Sequence, residues 1–420
     1  MINRFYFLIF VVLSIISTVM FWGDNFYSYH FILFIFLIFI IINYYLPKKI
    51  QIIILNTFLV LIVVFYCFEI YLVKNKNKKF NYYTNLVKVD GDVKVVIPIE
   101  SFFSEFEDKI LPLSGISNSK TLHCNENGYY SIYTSDRFGF NNFDSNYDED
   151  VIDYILLGDS FVHGACVNFK NTFSSHLQKN LDKIVINFGF DGNGALTSYA
   201  AIREFYPKDT LVKNVVYFFS EANDLKDIEK ENRDATLNKY YRNDKFTNNL
   251  VNNIEKYNFE INDVMKKKIK EFSRHTNVYF NFFTLKNIRD LIMPYFYIQN
   301  ILFDEKVIDK NDKFENFNKA MSIILKIKAF SEMKNSNFII VYLPSWEFYK
   351  SRNKDIKKNY DLLIEFFDEN KINYIDITNL FNNLEKPLDF FSNKNKNSHY
   401  NEEGYKLISN YISGQLLLMN

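Results

Sequence analysis

Net charge is what this chain most plainly lacks: 49 Lys and Arg balance 49 Asp and Glu. No basic stripe interleaved with aromatics is present either, so a nucleic-acid partner is not expected. Cysteine is scarce, at three residues. With no Cys-x-x-Cys and no Cys/His cluster, the common structural zinc sites are excluded. No internal repeat occurs, which excludes a solenoid or propeller. The abundance of Asn, Lys, Ile, Phe and Tyr extends along the whole chain and reads as a compositional habit, not a functional signal.

Charge is also missing locally, and there the absence is informative. Phe5 to Trp22, Asn25 to Pro47 and Ile50 to Phe68 contain no Asp, Glu, Lys or Arg. Each run is long enough to cross a hydrocarbon core of about 30 Å as a helix. A signal peptide would explain one run but not three, and buried soluble helices would show a polar face. The expectation is three transmembrane helices within residues 1–73. Arg4, Lys48 and Lys49 favour an inside N-terminus and an inside second loop, which puts everything after residue 73 outside the cell membrane. Lys74, Lys76, Lys78 and Lys79 weigh against that orientation. Cys67 sits in the third run as apolar filler. Cys124 and Cys166 either pair in an exported domain or stay as two thiols, and spacing alone does not decide.

Residues 74–149 read as a polar linker followed by a lead-in segment. From residue 151 the pattern alternates. Val151 to Leu157 is an apolar strand, and Phe161 to Leu181 has helical spacing. Lys183 to Phe188 is a strand, Ala195 to Tyr206 a helix, and Leu211 to Ser220 a third strand. Residues 225–335 are charged and mostly helical, with a long helix around Asn316 to Met333, and read as a helical insertion. Asn337 to Leu343 is again a strand, followed by a helix over Asp355 to Glu369 and a strand over Asn373 to Ile377. An amphipathic helix from about Glu402 to Leu418 closes the chain. Such alternation implies an α/β domain over 150–420, with a parallel sheet covered on both faces. Sites in such sheets gather at the carboxyl ends of the strands.

Four places carry chemistry. Gly158-Asp159-Ser160-Phe161 follows the first strand and exposes a hydroxyl where strand turns into helix. Asn187 to Gly194, with Gly189, Gly192 and Gly194, follows the second strand, and its glycines let backbone N–H groups approach a ligand. Glu221-Ala222-Asn223-Asp224 follows the third strand, where the Asn223 amide is a donor for an oxyanion. Ser398-His399-Tyr400-Asn401 leads into the last helix and places an imidazole near the end of the first strand. Taken singly, each has an ordinary reading as a cap or a turn. His163, one turn after Ser160, competes as a base.

In this order the four blocks resemble those of the SGNH (GDSL) hydrolase family. Residues 130–146, including Arg137-Phe138-Gly139-Phe140-Asn141-Asn142, resemble the lead-in of its membrane-anchored bacterial members. The resemblance covers roughly 150–230 and 337–420 and implies a flavodoxin-like three-layer fold. It assigns Ser160 as nucleophile, His399 as base, and Ser160, Gly192 and Asn223 as the oxyanion hole. Two departures from the pattern occur. Glu221 stands where the family has Gly. Asn397 and Lys396 stand where it has an Asp that orients the imidazole, so Asn397, a backbone carbonyl or another acid such as Asp389 must serve instead.

The chemistry that follows is acyl transfer. Ser160 attacks an ester carbonyl as His399 takes its proton, with no metal or organic cofactor. The expected protein is a membrane-anchored serine esterase acting on O-acyl esters of a surface glycan or lipid. The alternatives are an O-acyltransferase on a surface polysaccharide, or a binding module that kept the fold and lost the acid. A transporter is disfavoured, because the runs hold no Asp, Glu, Lys or Arg before Glu69.

Overall fold

The computed structural model describes residues 45–89, 93–103, 110–220, 223–275, 310–350, 354–393 and 398–419. The chain divides into two units. One takes residues 90–267 and 308–420, and the other includes the helix α1 (Lys48–Val89).

Of the three expected membrane spans, Phe5 to Trp22 and nearly all of Asn25 to Pro47 lie outside the described residues. The third, Ile50 to Phe68, lies within α1, where Ile53, Val60 and Val63 are about two-thirds exposed, at 63%, 61% and 62%. Counted over the described side chains, which in α1 are interrupted between residues 55 and 62, no helix is long and apolar enough to cross a membrane. The polar stretch after residue 73, expected as linker, continues α1 to Val89. It contains no Pro or Gly, so nothing in it stops a helix.

The α/β unit is built on a five-stranded sheet of β4 (Val151–Leu157), β5 (Val185–Asn187), β6 (Leu211–Ser220), β7 (Asn337–Leu343) and β8 (Asn373–Asp376). All pairings are parallel, in the order β5-β4-β6-β7-β8. Numbered within the sheet, this is the 2-1-3-4-5 order of a flavodoxin-like doubly wound fold. Six of the seven residues of β4 are buried, and β7 is buried beyond its first residue. Strands covered on both faces require such continuous apolar runs, and that is why these strands were legible.

On one face lie α3 (Phe173–Leu181) and the last helix, α12 (Glu402–Met419). They bury Phe173, Leu177, Tyr405, Ile408, Ile412 and Leu416 against Leu156, Val216 and Phe218. On the other face, α8 (Lys310–Met333) packs on α4 (Ala195–Phe205), α5 (Asp224–Glu231) and β7. The last helix of the expected insertion is therefore a layer of the fold itself, and it buries Ile323, Ile324 and Ile327. Between α5 and α8 lie α6 (Ala235–Arg242) and α7 (Ile254–His275). Between β7 and the final helix come α9 (Trp346–Lys350), α10 (Lys354–Glu369) and α11 (Thr378–Phe381).

One expected helix is broken. Instead of continuing to Leu181, the turn after β4 ends as α2 (Ser160–His163). Gly164 stops it in a left-handed conformation, φ +87°, where an added Cβ would meet Thr172 Cγ2 at 2.3 Å. A left-handed glycine just past the last turn is a strong helix stop.

The lead-in segment is also more structured than expected. β1 (Lys94–Val95), β2 (Lys120–Leu122) and β3 (Ile132–Thr134) form a small sheet, with β2 and β3 as an antiparallel hairpin. The loop after β3 docks on the second block. Asn142 accepts the Asn187 N–H at 2.8 Å and donates to the Asn187 carbonyl at 2.9 Å. Asn142 also donates to Asp136, whose carboxylate accepts Phe138 N–H, Phe140 N–H and Tyr147 O–H as well. Both Asn142 and Asn187 are buried. Removing the amide would leave the Asn187 N–H without a partner in a dry site. Asn142→Ala should therefore lower unfolding free energy by about 2 kcal/mol. Urea denaturation followed by circular dichroism measures this, and an unchanged midpoint would show that the pairing carries no stability.

Candidate active site

Ser160, Gly192 and Asn223 all follow strands at the carboxyl edge of the sheet. Ser160 follows β4 and Asn223 follows β6, and these neighbours form the switch point of the strand order, where doubly wound folds bind their ligands. Gly158 opens the first turn with φ +150°. A Cβ there would lie 2.6 Å from Val162 Cγ2, so the turn is closed to larger residues. Asp159 caps the short helix by accepting the Phe161 N–H at 2.9 Å. Its other oxygen accepts from the Asn223 amide at 2.7 Å, tying the first block to the third.

His399 reaches this edge from the loop before α12. Its Nε2 lies 2.8 Å from Ser160 Oγ. Its Nδ1 faces Glu126 Oε1 at 3.1 Å, and its backbone N–H donates to Glu126 Oε2 at 3.0 Å. A carboxylate only accepts, so Nδ1 carries the proton and Nε2 is left to accept from the serine hydroxyl. That is the tautomer a general base requires. Burial opposes a charged imidazole, but the Glu126 hydrogen bond and charge outweigh it, and the His399 pKa is raised above the ordinary value. Burial likewise opposes Glu126 ionisation, yet its contacts to His399 hold its pKa low.

Glu126 is the residue that sequence reasoning missed. Asn397, expected to orient the ring, lies outside the described residues. The Asp389 carbonyl accepts from Asn401 Nδ2 at 2.8 Å, and the group at His399 Nδ1 is Glu126. Glu126 lies in the turn of the β2–β3 hairpin, which carries no local signature of its own. The one trace in sequence is Cys124, two residues earlier, which forms a disulfide with Cys166 just beyond Ser160.

Gly192 adopts φ +79° and packs against the segment Pro98–Glu100, where a Cβ would meet Ile99 N at 3.1 Å. The next turn is held by Glu231, whose carboxylate accepts Gly194 N–H, Leu196 N–H, Thr197 N–H and the Thr197 hydroxyl. A Cβ on Gly194 would lie 2.8 Å from that carboxyl group. Among the described residues, neither the Ser160 nor the Gly192 N–H donates to a protein acceptor. The Asn223 amide uses one N–H on Asp159 and has a second to offer. The helix that follows Ser160 is a single turn, so its dipole adds little, and the donors themselves are what an oxyanion would meet.

His163 does not compete as base. Its Nδ1 faces Asp191 at 3.0 Å and its Nε2 faces the Tyr133 hydroxyl at 2.9 Å. Burial, then the neighbouring His123, pushes its pKa down to about 4, so it is neutral. His123 faces the other Asp191 oxygen at 2.8 Å. These three residues bring possible metal-ligating atoms within 4.8 Å of one another. Each imidazole nevertheless addresses its own carboxylate oxygen, with the rings tilted by 31° and 4.4 Å apart. That is a two-armed hydrogen-bond clamp on Asp191, not convergence on one ion. A second grouping, Glu126, Cys166 and His399, is unsuited to a metal because Cys166 is disulfide-bonded.

No family model matches the chain, and no curated protein matches it. The chain is similar to solved structures at low identity and low TM-score. One is a member of the G-D-S-L lipolytic family from Veillonella parvula, 13% identical, covering 62% of this chain and 96% of that one, with a TM-score of 0.33. Another is a lipase/acylhydrolase from Enterococcus faecalis, 13% identical, covering 63% of this chain and 95% of that one, with a TM-score of 0.34. A third is an acetyl xylan esterase, 12% identical, covering 63% of this chain and 99% of that one, with a TM-score of 0.33.

The Glu126 contact sets a pH expectation. An anion beside the ring stabilises imidazolium, so removing it lowers the His399 pKa. In Glu126→Gln the acid limb of the kcat/KM profile against a nitrophenyl ester should move to lower pH. Turnover at neutral pH should fall by about 100-fold or more. An unmoved acid limb would remove Glu126 from contact with the base.

Proposed function

We propose that this protein is a serine esterase that cleaves O-acyl esters through Ser160, His399 and Glu126. The observation that carries the reading is the chain of contacts from Ser160 Oγ to His399 Nε2 and from His399 Nδ1 to Glu126. His399 takes the hydroxyl proton as Oγ bonds to the ester carbonyl carbon. The carbonyl oxygen becomes the oxyanion, facing the Ser160 and Gly192 N–H groups and the Asn223 amide. The C–O bond to the alcohol breaks, the alcohol leaves with the proton from His399, and an acyl-serine remains. Water activated by His399 then releases the acid and restores Ser160. Glu126 stays ionised and holds the ring in its tautomer.

An acyltransferase differs only in the second half, where a sugar hydroxyl replaces water. The argument for an inactive binding module rested on the missing Asp, and Glu126 takes that place against Nδ1. We also propose that the N-terminal region anchors the domain in the cell membrane, with the α/β unit outside. The support is the three uncharged runs and the outward-facing Ile53, Val60 and Val63 of α1. The placement of an anchor beside an esterase suggests a surface glycan or lipid as the bearer of the ester.

A fluorophosphonate probe tests the chemistry. Labelling should occur in the intact protein and vanish in Ser160→Ala. Asn223→Ala should still label but lose about 10²–10³ in kcat, the usual effect of losing one oxyanion donor. Absence of labelling in folded protein would overturn the esterase reading. A C-terminal alkaline phosphatase fusion should be active if the domain is outside, and inactivity would place it inside.

A further inference from the structure

Three features at the edge of the site converge on one short segment. The β2–β3 hairpin carries His123, Cys124, Glu126 and Tyr133 within a dozen residues. Each touches a different part of the machinery. Glu126 holds both the ring and the backbone N–H of His399. His123 and, through His163, Tyr133 hold Asp191, the residue directly before Gly192. Burial opposes the Asp191 charge, but His123 and the two imidazole hydrogen bonds keep its pKa well below the usual carboxylate range. The Asp191 carbonyl in turn accepts the Ile99 N–H at 2.8 Å, fixing the turn that Gly192 occupies. Cys124 is bonded to Cys166, on the segment leaving the Ser160 helix.

We infer that this hairpin is a strap, locked by the Cys124–Cys166 disulfide, and that the lock is required to hold Glu126 against His399. This rests on the esterase reading and adds a redox requirement to it. The turn that carries Glu126 is only half-buried: Asn125 and Gly128 are exposed, and Glu126, Asn127 and Tyr129 are intermediate. Besides the disulfide and Glu126 itself, its ties to the rest of the domain include Asn127 Nδ2 to the Cys166 carbonyl at 3.0 Å, the Tyr129 hydroxyl to Glu402, and the Tyr129 hydroxyl to the Asn168 backbone. Hydrogen bonds at that exposure compete with water and contribute little each. The disulfide restricts the turn without such competition. Glu126 lies two residues from Cys124, so release of that bond frees the acid first. His123, one residue to the other side, is buried in its clamp and stays longer.

The step is chemically complete with a dithiol as co-reactant. A dithiol such as dithiothreitol transfers two electrons to the S–S bond. Cys124 and Cys166 become thiols, and the reagent closes to its cyclic disulfide. Glu126 is then a solvated carboxylate, and His399 loses the partner that selects its tautomer. Glu126 is a positioning residue, so the strap acts on rate and on the pH profile, not on the bond-making atoms.

The test is a double-mutant cycle on the full chain, in a Cys67→Ser background because Cys67 is a free, exposed thiol. The variants are Cys124→Ser with Cys166→Ser, Glu126→Gln, and all three together. The readout is the rate of fluorophosphonate labelling from acid to neutral pH. The cysteine pair should lower the rate at least about 10-fold and move the acid limb to lower pH, in the direction of Glu126→Gln. The combined variant should label little more slowly than Glu126→Gln alone, because the two changes remove the same contact. Additive losses with an unmoved acid limb would mean that the disulfide only stabilises the fold, and would overturn the strap. If the cysteine variant does not fold by circular dichroism, reduction and alkylation of the Cys67→Ser protein under native conditions gives the same two readouts. Failure of the starting protein to label would instead overturn the esterase reading itself.

Discussion

The hydrogen bond between Ser160 and His399 joins residues 239 positions apart in sequence. One stands at the end of the first strand of the sheet, and the other stands before the last helix. That contact exists only if the sheet order, the turn after β4 and the docking of α12 are all correct together. Tyr405 of α12 donates to the Phe161 carbonyl at 3.0 Å, so the last helix is fastened directly to the turn that carries Ser160. Tyr400, next to His399, is fully buried and donates to the Pro344 carbonyl at the end of β7. The residue after His399 and the helix behind it are therefore each fixed by a buried tyrosine. The approach of the imidazole to Ser160 is set by packing, not by the loop alone.

A second layer of constraint falls on the glycine turn after β5. Asn142 pairs with Asn187 at its start, the Asp191 clamp holds its middle, and Glu231 caps its end. Asn142, Asn187, His123, His163 and Glu231 are buried polar groups whose partners are protein atoms. Such networks are costly when incomplete and rigid when complete. A turn held at three points keeps the Gly192 N–H aimed while leaving it unbonded. Fixed donors of this kind lower the barrier because no reorganisation is needed when charge develops.

Much of this was legible in sequence, for identifiable reasons. β6 and β7 run over Leu211–Ser220 and Asn337–Leu343, as expected, because the buried apolar stretches Val215–Phe219 and Phe338–Leu343 dominate them despite Lys213, Asn214 and Asn337 near their starts. Ser160, Gly192, Asn223 and His399 stood out because each follows a strand or precedes the last helix, where a parallel sheet exposes side chains. Glu126 was not legible. β2 and β3 are three residues each, too short for any periodicity to register. The reach of Glu126 to His399 is a tertiary fact with no local cause. The helix expected from Phe161 to Leu181 also failed locally, because the stop is a single glycine whose left-handed conformation a helical spacing count ignores.

The displacement of the acid has a physical consequence beyond completing a triad. When the acid precedes the His by two or three residues, one loop carries both groups and sets their geometry. Here the base comes from the loop before α12 and the acid from a hairpin near the start of the α/β unit. The geometry of the pair therefore depends on how the hairpin sits on the sheet domain. The Tyr129–Glu402 contact fastens it near His399, and the Cys124–Cys166 bond fastens it near Ser160. An acid supplied from outside the local loop leaves the Ser160 turn and the core with contacts of their own. In the proposed chemistry, loss of a positioning carboxylate lowers turnover while leaving the folded domain intact.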